Sequence, residues 1–130
     1  MIRYILEGIT PSQNVVDNMH WTKRQELRDY WYNMLIGTYG FASDQESKKK
    51  YVLITRVANR LIDDLNVPAG CKYILDAFVF YKYLVNDNVQ WCRVFTAQRK
   101  CIKNEKQHME IIISDQPLFS PIYPDVHFDD

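Results

Sequence analysis

Four aspartates and a lysine stand within one stretch of the chain: Asp63, Asp64, Lys72, Asp76 and Asp87. Carboxylate oxygens are hard ligands that suit Mg²⁺ or Mn²⁺. A set of two or three can hold such an ion and leave coordination positions for water and a phosphate. The ion neutralises charge that grows on a phosphodiester during attack and lowers the pKa of a bound water. A nearby lysine can donate to the phosphate or position the attacking water. Asp63, Asp64, Lys72, Asp76 and Asp87 are therefore the candidate catalytic residues, with Asp63, Asp64 and Asp87 as metal ligands. The alternative is a solvated helix flank carrying ordinary surface acids.

The elements around these residues decide whether they can meet. Pro68, Gly70 and the apolar pattern beyond them predict a helix from Gly70 or Cys71 to about Leu84. With Lys72 at zero and roughly 100° per residue, Asp76 falls at about 40°, while Cys71, Ile74, Leu75, Phe78 and Tyr81 fall between about 180° and 300°. Lys72 and Asp76 thus share the polar side and can pair, a contact worth roughly 0.2–0.5 kcal/mol on an exposed helix. Asp63 and Asp64 precede the helix and Asp87 follows it. Such a helix is roughly 20 Å long, so the two groups meet only if the chain packs back on itself or a second subunit contributes.

The rest of the chain reads as follows. Residues 2–7 predict a strand and residues 8–20 a loop. Thr22 with Gln25 resembles a capping box, and Leu27, Tyr30, Trp31, Met34 and Leu35 predict a helix over 22–37, ended by Gly37 and Gly40. Residues 41–50 are a polar connection. Strands are expected at 51–57, 89–98 and 107–113. Three prolines after Asp115 argue against regular structure there. The order β-α-β-α-β-β predicts an α/β (α+β) domain over 1–115, a small mixed or antiparallel sheet packed by two main helices. An acidic, proline-containing tail occupies 116–130.

Bulk properties agree with one packed domain. The 130 residues are 47% hydrophobic and 14% aromatic, which excludes a disordered chain. No apolar run reaches the roughly 20 residues that a bilayer span requires. The opening Met-Ile-Arg-Tyr-Ile-Leu-Glu lacks a signal-peptide pattern, so no membrane partner and a cytoplasmic location are expected. Cys71, Cys92 and Cys101 are odd in number with no CxxC spacing, which fits a reducing compartment rather than a disulfide framework or a zinc site.

Sixteen basic residues balance sixteen acids, yet the balance is uneven along the chain. Glu110, Asp115, Asp125, Asp129 and Asp130 follow the last basic residue, Lys106, so residues 1–109 carry about five net positive charges. The acidic end can border a basic surface or be a solvated end. His20, Lys23 and Arg24 open the first long helix, where the dipole disfavours cations and a bound phosphate would remove the penalty. Arg28 lies one turn on. Lys48, Lys49 and Lys50 form a second basic run. His20 is a phosphate donor, a structural side chain or a local base. Trp31 and Met34 read as core, and Trp91 as core or interface.

These residues resemble the RusA-like family of Holliday junction resolvases of bacteria and their phages. The resemblance runs through Gly8-Ile-Thr-Pro-Ser-Gln-Asn14, the His20-Trp-Thr-Lys-Arg helix start, Asp63-Asp-Leu-Asn-Val, Gly70-Cys-Lys-Tyr-Ile-Leu-Asp-Ala-Phe and Asn86-Asp-Asn-Val. It covers about residues 4 to 113. It implies a homodimer that cuts branched DNA with Mg²⁺ or Mn²⁺, leaving 5′-phosphate and 3′-hydroxyl ends, in a bacterial host cell. Asp63 then matches the first catalytic acid, Lys72 the catalytic lysine, Asp76 the helix acid and Asp87 the late acid. Asn14, His20, Lys23, Arg24, Arg28, Lys48, Lys49, Lys50, Arg60 and Asn66 are the DNA-contact candidates.

One departure is clear. The family pattern Asp-x-Asp-Asn has Leu65 here at its second acid position, with Asp64 adjacent, and Asn86 replaces the first acid of the later pair. A junction-binding protein that cuts weakly or not at all is therefore the second expectation, and a structural or protein-binding domain the third.

Overall fold

A computed structural model describes residues 1–42, 48–119 and 127–128. The elements are β1 (Ile2–Glu7), α1 (Gln13–Asp17), α2 (Trp21–Tyr39), β2 (Lys50–Ala58), a 3₁₀ turn (Asp64–Asn66), α3 (Val67–Phe80), β3 (Cys92–Lys100), β4 (His108–Ser114), β5 (Leu118–Phe119) and β6 (His127–Phe128). A four-stranded mixed sheet has the order β1-β4-β2-β3. β4 runs antiparallel to both β1 and β2, while β2 and β3 are parallel, in register from Lys50↔Cys92 to Ala58↔Lys100. Parallel neighbours need a crossover, and α3 supplies it.

The core lies between the helices and one face of the sheet. Trp31 and Leu35 of α2 and Val67, Cys71, Ile74, Ala77 and Phe78 of α3 pack on Tyr4, Leu6, Val52, Ile54, Met109 and Ile111. Trp31 is only 1% exposed. Both helices and the mixed sheet agree with the expected class. Among the described residues no helix is long and apolar enough to cross a membrane.

Several boundaries differ from expectation for identifiable reasons. α2 begins at Trp21 because His20, not Thr22, is its N-cap: the His20 ring accepts from the Thr22 N–H. Gly37 stays inside α2, and Gly40 ends it with φ 74°. Pro68 opens α3 rather than preceding it, since proline has no N–H to lose in a first turn. α3 stops at Phe80, after which Lys82 takes φ 73°. Trp91 sits in the turn before β3, not in a strand, and α1 occupies part of the predicted 8–20 loop. Beyond Asp115 the prolines do not exclude all pairing: β5 and β6 form a two-residue antiparallel ladder.

Two contacts fix the N-terminal loop. A Cβ on Gly70 would lie 2.3 Å from the Pro11 carbonyl oxygen, so only glycine admits this approach of the loop to α3. Arg56, 6% exposed, donates from Nε to the Thr10 carbonyl at 3.0 Å and from Nη1 to the Arg60 carbonyl at 3.1 Å. Burial lowers the Arg56 pKa and pushes the neighbouring Cys71 thiol up to about 12. Cys71 is thus a packing residue and not a nucleophile.

The free edge of β1 is closed by α2. The Tyr39 hydroxyl accepts from the Ile5 N–H at 2.8 Å and donates to the Ile5 carbonyl at 3.2 Å. Tyr30 donates to the Glu7 carbonyl at 2.6 Å.

Candidate metal and nucleic-acid site

The acids separate into two groups at opposite ends of α3. At its N-terminal end, Asp63 Oδ1 accepts from the Leu65 N–H at 3.1 Å and caps the 3₁₀ turn. Asp64 Oδ1 accepts from Gln98 Nε2 at 2.6 Å. Gln98 also exchanges hydrogen bonds with both backbone groups of Ile62. One β3 side chain therefore holds the acidic loop at Ile62 and at Asp64. Leu65, where the resemblance expects an acid, is 82% exposed.

At the other end, Asp76, Asn86 and Asp87 line one cavity of about 300 Å³ together with Tyr32, Val79 and Phe80. Burial raises the pKa of the Asp76 carboxyl; Lys72 lowers it, Asp87 raises it again, and Arg28 opposes. Lys72 Nζ stands 3.9 Å from Asp76 Oδ1, the i, i+4 pair expected from the helix angle. Burial, with Asp87 beside it, also pushes the Cys92 thiol up to about 12. The Asn86 side-chain oxygen accepts from the Asn88 N–H at 3.1 Å and keeps a second lone pair.

The gap between the groups follows from two independent rulers. Asp76 stands nine residues beyond Val67, the first residue of α3, or about 14 Å along the helix axis. Asp87 lies beside Cys92 at the start of β3, while Asp64 is held by Gln98 near its end, about 20 Å away along an extended strand. Consistent with this, the described residues contain no group of three or more His, Cys, Asp or Glu side chains able to share a metal. One chain does not gather Asp63, Asp64 and Asp87 into a single ligand set. It pairs Asp87 with Asp76 instead.

Two oxygens from Asp76 and Asp87, with Asn86 on the same wall, fit a hard cation that keeps several waters. Mg²⁺ is commonly held by one or two carboxylates plus phosphate oxygens. Lys72 lies between the groups and lines a second, mostly apolar groove of about 270 Å³ with Pro68, Leu75, Val94 and Thr96. A larger cavity, about 400 Å³, borders Glu7, Met34, Thr38 and His108 and contains none of the predicted site residues.

The predicted DNA-contact residues are dispersed. Lys23, Arg24 and Arg28 share α2, and His20 caps its start. Arg28 places its guanidinium 4.5 Å from the Tyr32 ring centroid, and Tyr32 lines the Asp76–Asp87 cavity, so the basic helix reaches the acid pair. Arg24 Nη2 donates to the Asp17 carbonyl at 3.2 Å, and Lys23 pairs with Glu26 at 3.3 Å. Asn14 lies on α1, where its carbonyl accepts from Asn18. Asn66 is the N-cap of α3 without a side-chain bond, and Arg60 is exposed. Lys48 and Lys49 precede β2, and Lys50 pairs with Asp115. Asp115 is the only one of the five late acids besides Glu110 that falls within the described residues; Asp125, Asp129 and Asp130 lie outside them.

Gln98 and Tyr32 were not singled out in the sequence. A glutamine in a strand and a tyrosine in a helix carry no signal of their own until the fold sets them against Asp64 and Asp76. Compared with known proteins, the chain matches no family model, and no curated protein shows significant sequence similarity to it.

Proposed function

We propose that this protein is a metal-dependent endonuclease acting on branched DNA, such as a four-way junction. The observation that carries the reading is the shared cavity of Asp76, Asn86 and Asp87, with Lys72 and Arg28 flanking the Asp76 carboxylate. A partly buried acid whose proton affinity is raised by desolvation and by a second acid is relieved by a cation between them. Asp76 and Asp87 would hold Mg²⁺ or Mn²⁺, which supplies charge neutralisation and an acidified water when bound. Lys72 donates to a phosphate oxygen, and Arg28 binds the adjoining strand. Asp63 and Asp64 join such a site only from a second subunit, which makes a homodimer part of the proposal. The RusA-like order of residue types supports the choice of substrate.

A second reading is favoured by Leu65. With an exposed leucine at an expected acid position, the protein binds junctions and does not hydrolyse them. One assay separates the two: cleavage of a synthetic four-way junction by the folded protein with Mg²⁺ or Mn²⁺. Cutting that is lost in Asp76→Asn and Asp87→Asn, with junction binding retained, supports the nuclease. Salt-sensitive binding without cutting under either metal supports the binder.

A further inference from the structure

We propose that Trp21 is a stacking platform for an unpaired base of the bound nucleic acid. This rests on the nucleic-acid reading above but not on its cleavage step. The Trp21 ring is 68% exposed, whereas Trp31 of the same helix is buried. A large ring held in solvent at the first residue of α2 contributes nothing to the core. Its backbone is nevertheless fixed, because the His20 cap sets the helix start.

The surroundings complete the argument. The His20 ring centroid lies 5.7 Å from that of Trp21, at an interplanar angle of 37°. His20 Nδ1 accepts from the Thr22 N–H at 3.3 Å and lies 2.7 Å from Thr22 Oγ1. Accepting there leaves the ring proton on Nε2, a donor on the outward side of an exposed residue. Lys23 and Arg24 follow, and no acid occupies the first turn of α2. Lys23 pairs with Glu26 through an exposed contact that a phosphate readily displaces. An indole face, an N–H donor and two cations at one helix end match a nucleotide: base on the ring, phosphate on the donors. Stacking on an aromatic face tolerates any base. The site therefore favours unpaired bases at a branch or a single-stranded end over a closed duplex.

The test uses the full chain with a short oligothymidylate, a four-way junction and an intact duplex as probes. Trp21→Phe isolates the Trp21 emission, and Trp21→Ala removes the platform at a solvent-exposed position. Single strand and junction should quench the wild-type emission but not that of Trp21→Phe. Trp21→Ala should weaken both about tenfold while leaving duplex affinity nearly unchanged. Equal loss on all three probes, or no quenching, overturns the inference. So does quenching that depends on protein concentration without nucleic acid, which would place a second copy of the chain on the ring. Cleavage unaffected by Trp21→Ala in affinity and rate sinks this inference alone. Quenching without cleavage keeps it and removes the nuclease. No binding of any probe at low salt removes both.

Discussion

Gln98 Nε2 donates to Asp64 Oδ1 at 2.6 Å. The acid next to Leu65 is therefore engaged by its own β3 neighbour, and replacing Leu65 requires an acid at position 65 itself. Leu65→Asp is expected to change stability by no more than about 0.5 kcal/mol, because the side chain is exposed. If the family pattern governs this site, cleavage of a four-way junction rises about tenfold or more, the scale on which groups around metal sites act. Unchanged single-turnover rates would remove position 65 from the site.

Asp76 gives a pH and metal signature. Its carboxyl pKa is raised above the ordinary 3.8, first by burial, with Asp87 adding to it. A raised acid binds its proton more tightly in the folded state, so stability falls as pH rises from 3.8 through the folded value. Asp76→Asn carries no such penalty, and its melting temperature should gain on the wild type by on the order of a few degrees across that window. At neutral pH, Mg²⁺ should raise the melting temperature of the wild type and not of Asp76→Asn.

Glu105 behaves in the opposite direction. Its side chain meets Arg99 at 2.7 and 2.8 Å and accepts from the Ile102 N–H at 3.0 Å. The Arg99 bonds lead in holding its pKa at about 2, against an ordinary 4.5. Its contribution is complete above 4.5 and disappears as pH falls toward about 2. Urea midpoints measured above and below this window should converge for Arg99→Ala and wild type at the acid end. A constant difference would show that the pair does not titrate with folding.

Two glycines should respond oppositely to alanine. Gly37 faces open space in α2, and Gly37→Ala should stabilise by about 0.5–1 kcal/mol through helix propensity. Gly70→Ala drives a Cβ into the Pro11 carbonyl and Thr10, and should destabilise by about 1–3 kcal/mol. Chemical denaturation of both variants checks the contrast.

Tyr39→Phe should cost about 1 kcal/mol, since Ile5 loses two hydrogen bonds to one hydroxyl. It should also increase self-association, because β1 then presents an unpaired strand edge. Light scattering at rising concentration reads the second effect.

Much of the fold was legible because its signals are local. Apolar spacing located α2 and α3, and β-branched runs located β2 and β4. The Lys72–Asp76 pair follows from helix angle alone. Two boundaries were missed because local signals compete: His20 caps α2 through the nearby Thr22 N–H where a threonine motif was the obvious choice, and Pro68 marks a helix start or a loop with equal ease. The division of the site depends instead on partners distant in sequence. Spacing placed Asp63, Asp64 and Asp87 near one helix, but only the parallel pairing of β2 with β3 puts Asp87 by Cys92 and Asp64 by Gln98, at the two ends of a strand. The placing of Asp87, seven residues past the end of α3, beside Asp76 within it was hidden behind the more conspicuous acidic doublet.

The close approach of Pro11 to Gly70 has a steric consequence. A methyl group at position 70 would push the loop leading to Asn14 away from the helix that bears Lys72 and Asp76, so the seating of one on the other depends on a missing side chain.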